Sequence, residues 1–527
     1  MGTSFFTFNF LAMNRRKFIK NSIGVTVTGS TIINSLYMPH ASAKSIYDFP
    51  VSGIPSPHLN KLKVKPIMTN MYHTDEWEGP CRFNVVSTEE EKKRAYDAFN
   101  IFQSEIKSNK VEFDLNNVDA LDPELILFVE DFKISDEEYQ KIDQDSREAD
   151  VLFINPSGSS IATYDIARKY NKPVIISSDL NCRTVDIAAY GRSQGMEIFA
   201  LNSNKERNEI MTLLRARKVF SQTRILFPTD WGFPSVASLA GINEPEKLKE
   251  QFGIELVMIS YTELSEEMEK TRTSKSEQKD AVEMAGMLYE NADHTYLEEK
   301  YVARSMEFYN TIIRLMRKHE CNAFTIECFE FCTSRLPQKW NITPCLIHTM
   351  LKDIGIPSAC EGDLGGLLSM HMLMSLSKKS SHMGNMFCKE NGRMQINHSV
   401  PGLKMNGVEE PPLPYQLGRF VESGWGTKAV VDFMNNEEKE VTVARMNPTG
   451  TGLLVLKGRL VGSDGWDEDL RGCSVSAFIV GAESGTADEF LRKQVDYGNH
   501  LVWVYGDYSD QLKRLGDLIK VDVEVIS

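Results

Sequence analysis

The sequence lacks an apolar run that is long and uninterrupted enough to span a membrane. Basic residues are a minority, with 59 Lys and Arg against 73 Asp and Glu and a formal net charge of −14. An acidic surface repels nucleic acid and anionic lipid, so we expect neither as a partner. The 527 residues contain no internal repeat and no low-complexity tract. Length and composition therefore indicate a globular protein of several domains without a stable membrane span.

Cysteine is scarce, and the spacing of the nine cysteines does not indicate which of them would form disulfides. Six of the nine lie between Cys321 and Cys388. Cys328 and Cys332 have a C-x₃-C spacing, but no second pair accompanies them, so a structural zinc site has little support. Scattered cysteines in a chain of this size are more often small buried hydrophobic side chains. One or two disulfides would suit an oxidising compartment, and the sequence leaves their pairing open.

The N-terminus has the order of an export signal. The pair Arg15-Arg16 precedes a moderately apolar run from Ile23 to Tyr37, and Ala41-Ser42-Ala43 then matches an A-x-A cleavage site. We therefore predict a twin-arginine signal peptide over residues 1–43 and export machinery of that type as a partner. The mature chain would be periplasmic or extracellular after cleavage near Ala43. The alternative is a basic, flexible tail.

The rest of the chain alternates between strand-like and helix-like segments. Val151–Asn155 is an apolar strand pattern, Ile161–Tyr170 has helical spacing, and Pro173–Ser177 is the next strand pattern, which together predict a βαβ unit. The polar segment Ser265–Asp280 is expected to be a solvated loop or helix end before a long helix. From about Pro411 the strands become short and are joined by Gly and Asn turns, which is typical of an antiparallel sheet or small barrel.

This alternation predicts an α/β protein. We expect two N-terminal Rossmann-like (flavodoxin-like) α/β modules over residues 60–205 and 206–320. A C-terminal α/β domain over residues 321–527 would end in an antiparallel β-sheet or barrel.

Carboxylates and a histidine form the pattern most suggestive of chemistry. Glu361-Gly362-Asp363 lies where an apolar stretch meets a helix-like run, a position that favours negative charge. His500 comes directly before the strand-like run Leu501–Tyr505. Carboxylate and imidazole ligands suit a hard or borderline divalent cation such as Mn²⁺. The alternative is a helix-capping Asp and an unrelated surface His.

Several segments in the C-terminal half occur in the order of a known family. They are Ile326-Glu327-Cys328-Phe329-Glu330, Gly355 to Asp363 with the following Leu364-Gly365-Gly366, Ile396-Asn397-His398-Ser399, Val441 to Met446 and Gly498-Asn499-His500. By these segments the chain resembles the L-fucose isomerase and L-arabinose isomerase superfamily, and looks most similar to its L-fucose isomerase-like branch. The resemblance covers residues 300–527 well and residues 60–300 only in their α/β layout.

The resemblance implies a metal site in the C-terminal half. A divalent cation, usually Mn²⁺, would be held by Glu330, Asp363 and His500, with Mg²⁺, Co²⁺ or Fe²⁺ as other candidates. Glu327 is the alternative to Glu330, because the local Glu-Cys-Phe-Glu departs from the family's more usual Lys/Arg-Cys-Trp-Pro-Glu.

The same resemblance implies an activity. Glu330 and Asp363 would be the catalytic acid/base groups of an aldose–ketose isomerase that works through an enediolate. Substrate-binding residues would be Glu327, His398, Arg445 and Asn499, and the alternative for Arg445 is a structural pairing with one of the many acidic residues. The family's architecture implies a homo-oligomer, trimeric or hexameric. Two other interpretations stay open: epimerisation or other keto-sugar chemistry on this scaffold, and a sugar-binding protein without turnover.

Overall fold

The structure is a computed structural model that describes residues 53–77, 87–242, 244–389 and 392–527. The predicted signal peptide at residues 1–43 lies outside the described residues. Within them, two parallel sheets and a C-terminal antiparallel barrel confirm the predicted α/β fold class.

The first sheet is entirely parallel, with the strand order β2-β1-β4-β5-β6 and with β3 also paired to β1. The predicted βαβ unit is its β4-α3-β5 segment. Its strands and helices are β1 (Leu62–Met71), α1 (Thr88–Lys107), β2 (Val118–Ala120), β3 (Glu124–Phe128), α2 (Asp136–Glu148), β4 (Val151–Pro156), α3 (Ser160–Tyr170), β5 (Val174–Ile176), α4 (Cys182–Ser193), β6 (Ile198–Phe199) and α5 (Asn204–Ser221).

The second sheet is also parallel, in the order β11-β10-β7-β8. It draws strands from both sides of residue 320, and the predicted domain limits remain predictions. Its segment contains β7 (Arg224–Pro228), α6 (Pro245–Phe252), β8 (Glu255–Ile259), α7 (Tyr261–Thr273), α8 (Lys275–Asn291), β9 (His294–Thr295), α9 (Glu299–Lys318), β10 (Ala323–Ile326), α10 (Cys328–Thr333), α11 (Leu336–Trp340), α12 (Cys345–Asp353), β11 (Ser358–Cys360) and α13 (Leu364–Ser377).

The barrel has six antiparallel strands in the order β16-β19-β12-β13-β18-β17, and pairing of β17 with β16 closes it. Strand β20 extends β17 in parallel, and β15-β14-β9 forms a separate small sheet. The elements are β12 (His382–Lys389), β13 (Arg393–His398), β14 (Tyr415–Arg419), β15 (Thr427–Val431), β16 (Glu440–Met446), β17 (Gly452–Asp464), β18 (Val475–Gly481), α14 (Thr486–Lys493), a short 3₁₀ turn (Gln494–Asp496), β19 (Leu501–Tyr505), α15 (Ser509–Ile519) and β20 (Asp522–Ile526).

Helix α13 lies at the centre of the described part. It is apolar on all sides and buried from Leu364 to Leu376, as a helix without a polar face must be. It packs against strands β16 and β19 of the barrel, against β11 and against helix α5. Its first turn therefore lies where the second parallel sheet meets the barrel.

The segment Ser265–Asp280 differs from its prediction, because it is helical almost throughout. Ser260 and Ser274 cap the two helices by accepting hydrogen bonds from the backbone amides of Glu263 and Glu277. Each helix has a charged surface and buries a narrow apolar stripe on its other face. The polar composition of the segment does not reveal that stripe.

None of the helices in the described part is long and apolar enough to cross a membrane. The eight described cysteines are all free thiols, so the structure shows no disulfide among them.

Candidate metal centre

A tight turn positions the first carboxylate of the centre. Glu361 follows strand β11 with a left-handed φ of 63°, and Gly362 repeats that conformation. Ser235 holds the turn by donating its hydroxyl to the backbone oxygen of Glu361 at 2.6 Å. A left-handed φ is uncommon for a residue other than glycine and persists where surrounding structure enforces it. The turn thus directs the Glu361 side chain, while Asp363, two residues later, is the N-cap of helix α13.

The barrel brings two histidines to the same place. His398 ends strand β13 and His500 directly precedes strand β19, and both strands flank β12. Gly384 of β12 lies at this level, where a Cβ atom would approach the backbone nitrogen of Asn397 to 2.9 Å. His500 has a φ of 61° and is the second left-handed residue other than glycine at the centre. Strand pairing, rather than nearness in sequence, sets the distance between the two imidazoles.

Glu361, His398 and His500 form one buried group. Nε2 of His398 lies 3.2 Å from one carboxylate oxygen of Glu361, and Nε2 of His500 lies 3.1 Å from the other. One ligand atom from each residue falls within 4.8 Å of the others. Nε2 of His500 has no hydrogen bond of acceptable geometry to any residue that the structure describes. A buried nitrogen in that state fits a metal ligand, and this group could bind a metal.

A second layer fixes the orientation of His500. Its Nδ1 lies 2.9 Å from Oδ2 of Asp363, and the same oxygen accepts a hydrogen bond from Nη1 of Arg445 at 2.6 Å. The other oxygen of Asp363 accepts the backbone amide of Gly366 at 2.9 Å and caps helix α13. Asp363 and Arg445 are fully buried. With Nδ1 engaged by a carboxylate, Nε2 is the nitrogen left to face Glu361, as in carboxylate–histidine–metal arrangements.

The charges of the group are strongly coupled. Burial alone would raise the pKa of Glu361, but His398 and His500 lower it to about 2. Burial likewise opposes ionisation of Asp363, yet Arg445 and His500 hold its pKa well below the usual range. Burial would lower the pKa of both imidazoles, while their hydrogen-bonded and charged neighbours raise both values. The lowered pKa values favour the ionised form of both carboxylates, and the raised pKa values favour positive charge on the imidazoles, which a bound cation would replace.

Two further glutamates approach the centre from helix α10. Glu327 caps that helix through one carboxylate oxygen, and its other oxygen has no hydrogen-bond partner among the described residues. Burial raises the pKa of Glu327, and the charges of Glu361 and Glu330 add to the effect. Glu327 is therefore a buried carboxyl group with one oxygen available.

Glu330 has a different environment. Its carboxylate accepts the hydroxyl of Thr229 at 2.7 Å and the backbone amides of Asp230 and Trp231 at 2.6 and 2.8 Å. These bonds attach Glu330 to the loop after β7, and the buried group of ligand atoms does not include it.

The structure brings some of the predicted site residues together and places others elsewhere. It brings Asp363, His500 and Arg445 into direct contact and puts His398 beside Glu361. Asn499 contacts the barrel instead, where its side-chain oxygen accepts the backbone amide of Met386 at 3.0 Å. The catalytic, metal-binding and substrate-binding roles given to these residues remain predictions.

The ligand set predicted from the sequence does not include Glu361, and it gives His398 the role of a pocket residue. The sequence does contain a signal for Glu361, because its place beside Gly362 and Asp363 indicates a tight turn at the start of a helix. His398 gave no comparable local signal, because its position depends on barrel pairing across about a hundred residues of chain.

Fold and centre together define an α/β protein whose C-terminal barrel meets a parallel sheet at a buried Glu/His/His group. No known protein-family profile matches the chain. The chain is 27% identical over 186 residues to the sulfoquinovose isomerase of Clostridium sp. (strain MSTE9), which covers 34% of this chain and 40% of that protein. It is 23% identical over 230 residues to the sulfoquinovose isomerases of Priestia aryabhattai and Priestia megaterium (strain ATCC 12872 / QMB1551), covering 43% of this chain and 49% of each. The similarity to these sugar isomerases is distant, and the matches span less than half the length of each relative.

Proposed function

We propose that the protein is a metal-dependent sugar isomerase that interconverts an aldose and a ketose. The observation that carries this proposal is the convergence of Glu361, His398 and His500, in which the buried Nε2 of His500 faces Glu361 at 3.1 Å and has no well-formed hydrogen bond to any described residue. Distant similarity to sulfoquinovose isomerases supports the same reaction class.

Glu361, His398 and His500 would hold the cation, and Asp363 would orient His500 from behind. Mixed oxygen and nitrogen donors suit Mn²⁺, with Mg²⁺, Co²⁺ or Fe²⁺ as alternatives. When bound, a divalent cation polarises a carbonyl oxygen and stabilises negative charge that develops on it. Glu361 supplies the negative charge that the cation needs, since it stays ionised in the buried group.

Proton transfer between the two sugar carbons needs a carboxyl group that can both give and take a proton. Glu327 fits because one of its oxygens has no hydrogen-bond partner among the described residues and because burial raises its pKa. Glu330 and Asp363, the predicted catalytic groups, instead have their oxygens engaged by neighbouring donors. We therefore assign proton transfer to Glu327 and a positioning role to Asp363.

We also propose that the protein is exported and forms an oligomer. The twin-arginine pattern at Arg15-Arg16 and the Ala41-Ser42-Ala43 motif support export. N-terminal sequencing of the secreted or periplasmic protein should begin near Lys44. Light scattering of the purified protein should give the mass of a trimer or hexamer. A cytoplasmic, uncleaved monomer would contradict both proposals.

Metal analysis combined with a sugar screen tests the function. Protein purified without chelator should contain stoichiometric divalent metal and should convert at least one free aldose to its ketose. His500→Ala should lose both properties. His319→Ala is the matched control, because that half-buried imidazole pairs with Glu263 away from the centre.

The outcomes separate the candidate functions. Absence of metal after addition of Mn²⁺, or equal metal in His500→Ala, would overturn the proposed centre. Bound metal with a product epimeric at one carbon would replace isomerisation by epimerisation.

A further inference from the structure

Cysteines surround a cavity beside the proposed metal centre. The cavity has a volume of about 140 Å³, and apolar side chains and thiols line it together with Thr343 and Ser399. His398 forms part of its wall, together with five of the described cysteines: Cys328, Cys332, Cys345, Cys360 and Cys473. The proposed isomerase chemistry uses none of these thiols, so their concentration at one place needs another explanation.

Two of the thiols meet a carboxylate. The sulfurs of Cys328 and Cys360 and a carboxylate oxygen of Glu361 all lie within 4.8 Å of one another. Parallel pairing of Ile326 with Cys360 explains the approach, because Cys328 starts the helix just beyond that strand pair. Cys360 is buried, whereas Cys328 is half-buried and lines the cavity. The fold therefore brings the two thiols to the same carboxylate from neighbouring strand ends.

The donor types at this place differ from those of the histidine group. Two thiols and one carboxylate suit a thiophilic cation such as Zn²⁺ or Cd²⁺, which binds thiolate sulfur with high affinity. Manganese prefers oxygen and nitrogen donors, which the neighbouring histidine group offers. The adjacent cavity leaves space for a further, non-protein ligand.

We propose that Cys328, Cys360 and Glu361 form a second cation site, specific for thiophilic divalent metals, next to the Glu361–His398–His500 centre. Because Glu361 belongs to both sites, binding at one weakens binding at the other. Both ions carry two positive charges and would compete for one carboxylate, whose two oxygens already face His398 and His500. Such coupling is reciprocal, so Mn²⁺ and Cd²⁺ must each lower the affinity of the other by the same factor.

Ultraviolet titration with Cd²⁺ tests the site, because cadmium bound to thiolate gives a charge-transfer absorbance that does not depend on enzyme activity. The full chain should show a saturable band at one equivalent of Cd²⁺. Cys328→Ser and Cys360→Ser should each lose it, and Cys182→Ser, an exposed thiol outside the cavity, should keep it. Circular dichroism checks that each variant is folded, and the half-buried Cys328 keeps the test valid if Cys360→Ser misfolds.

Further variants distinguish this site from the proposed isomerase centre. The proposal rests on that centre only in that both sites share Glu361. His500→Ala should keep the cadmium band, even if the isomerase proposal fails. Cd²⁺ should reduce the Mn²⁺ affinity of the wild type by about tenfold or more, within the usual range of coupling between sites, and should have a smaller effect in Cys328→Ser, where only direct competition at the histidine group remains. A band that persists in both cysteine variants, or that only Cys332→Ser removes, would overturn the proposal.

Discussion

Asp363 connects the stability of the protein with the chemistry of its centre. The carboxylate is fully buried and is bonded to Arg445, His500 and the start of helix α13. Arg445 in turn donates to the backbone oxygens of Tyr497 and Ala240, both at 3.0 Å. A buried charge is tolerated only when it is paired and hydrogen-bonded, and here each member of the network meets that condition.

Replacing Asp363 by Asn should therefore have two effects. Breaking one partner of a buried ion pair costs about 3–5 kcal/mol of unfolding free energy. Loss of the group that orients a metal-binding histidine weakens metal binding by about 10–100-fold without abolishing it. Denaturant unfolding and Mn²⁺ titration would measure the two changes.

Asp353→Asn is the matched control for that substitution. Asp353 is also buried, and its carboxylate accepts the backbone amides of Leu403 and Lys404. Its variant should lose stability but keep normal Mn²⁺ affinity. Complete loss of metal in Asp363→Asn would show instead that Asp363 is itself a ligand, as the sequence resemblance implies.

Glu327 and Glu330 should differ in what they contribute. Glu327→Gln keeps the size of the side chain but removes its acid/base function, so turnover should fall by about 100-fold or more while metal content stays normal. Glu330→Gln should mainly reduce stability, because it weakens the acceptor for the amides of Asp230 and Trp231. Steady-state kinetics and metal analysis of both variants would decide. The reverse result would return the catalytic role to Glu330.

At the residue scale, the sequence predicts which residues belong to the site better than it predicts which side chains they contact. Asp363 could be found because a Gly-Asp before an apolar run marks the start of a helix, and His500 because it directly precedes an apolar strand. The Glu361–His398 contact could not be found, since it depends on how β12 pairs with β13 and β19. Local patterns contain no information about that pairing.

At the scale of elements, the apolar patterning of each segment decided where the predictions succeeded. The β4-α3-β5 unit is predictable because its helix, capped by Ser159, lies between two mainly apolar strands. The segment Ser265–Asp280 was misjudged because its apolar stripe is narrow and most of its residues are charged. Tertiary packing against helix α9 stabilises those two helices, and this contact leaves no mark in the local composition.

Helix α13 carries a histidine that should make the protein acid-sensitive. His371 is fully buried between Thr223 and Ser375, 2.7 and 2.9 Å away, and burial lowers its pKa from 6.5 to about 4. Between pH 6.5 and 4, His371 binds a proton in the unfolded chain but not in the folded chain. His371 therefore lowers the free energy of unfolding progressively from pH 6.5 to 4, by up to about 3 kcal/mol.

His371→Gln should flatten this dependence, because glutamine does not titrate and can still bond to both hydroxyls. Urea unfolding at several pH values between 7 and 4 would measure the slope. Ser375→Ala is the control: it removes a hydrogen bond to the imidazole and should lower stability while retaining the slope. An unchanged slope in His371→Gln would rule out this histidine as a source of the acid sensitivity.

At the scale of the whole molecule, the proposed ligands come from two separate layers. Glu361 follows a strand of the second parallel sheet, whereas His398 and His500 belong to the barrel. A cation held by all three would link sheet to barrel in the folded state, and the unfolded chain has no preformed site.

Mn²⁺ at about 100 times its dissociation constant should then raise the free energy of unfolding by about 2.7 kcal/mol. Thermal or urea unfolding with and without Mn²⁺ would show the shift, which Glu361→Gln and His500→Ala should both abolish because each removes a ligand from one layer. Equal stabilisation of either variant would place the bound cation elsewhere in the molecule.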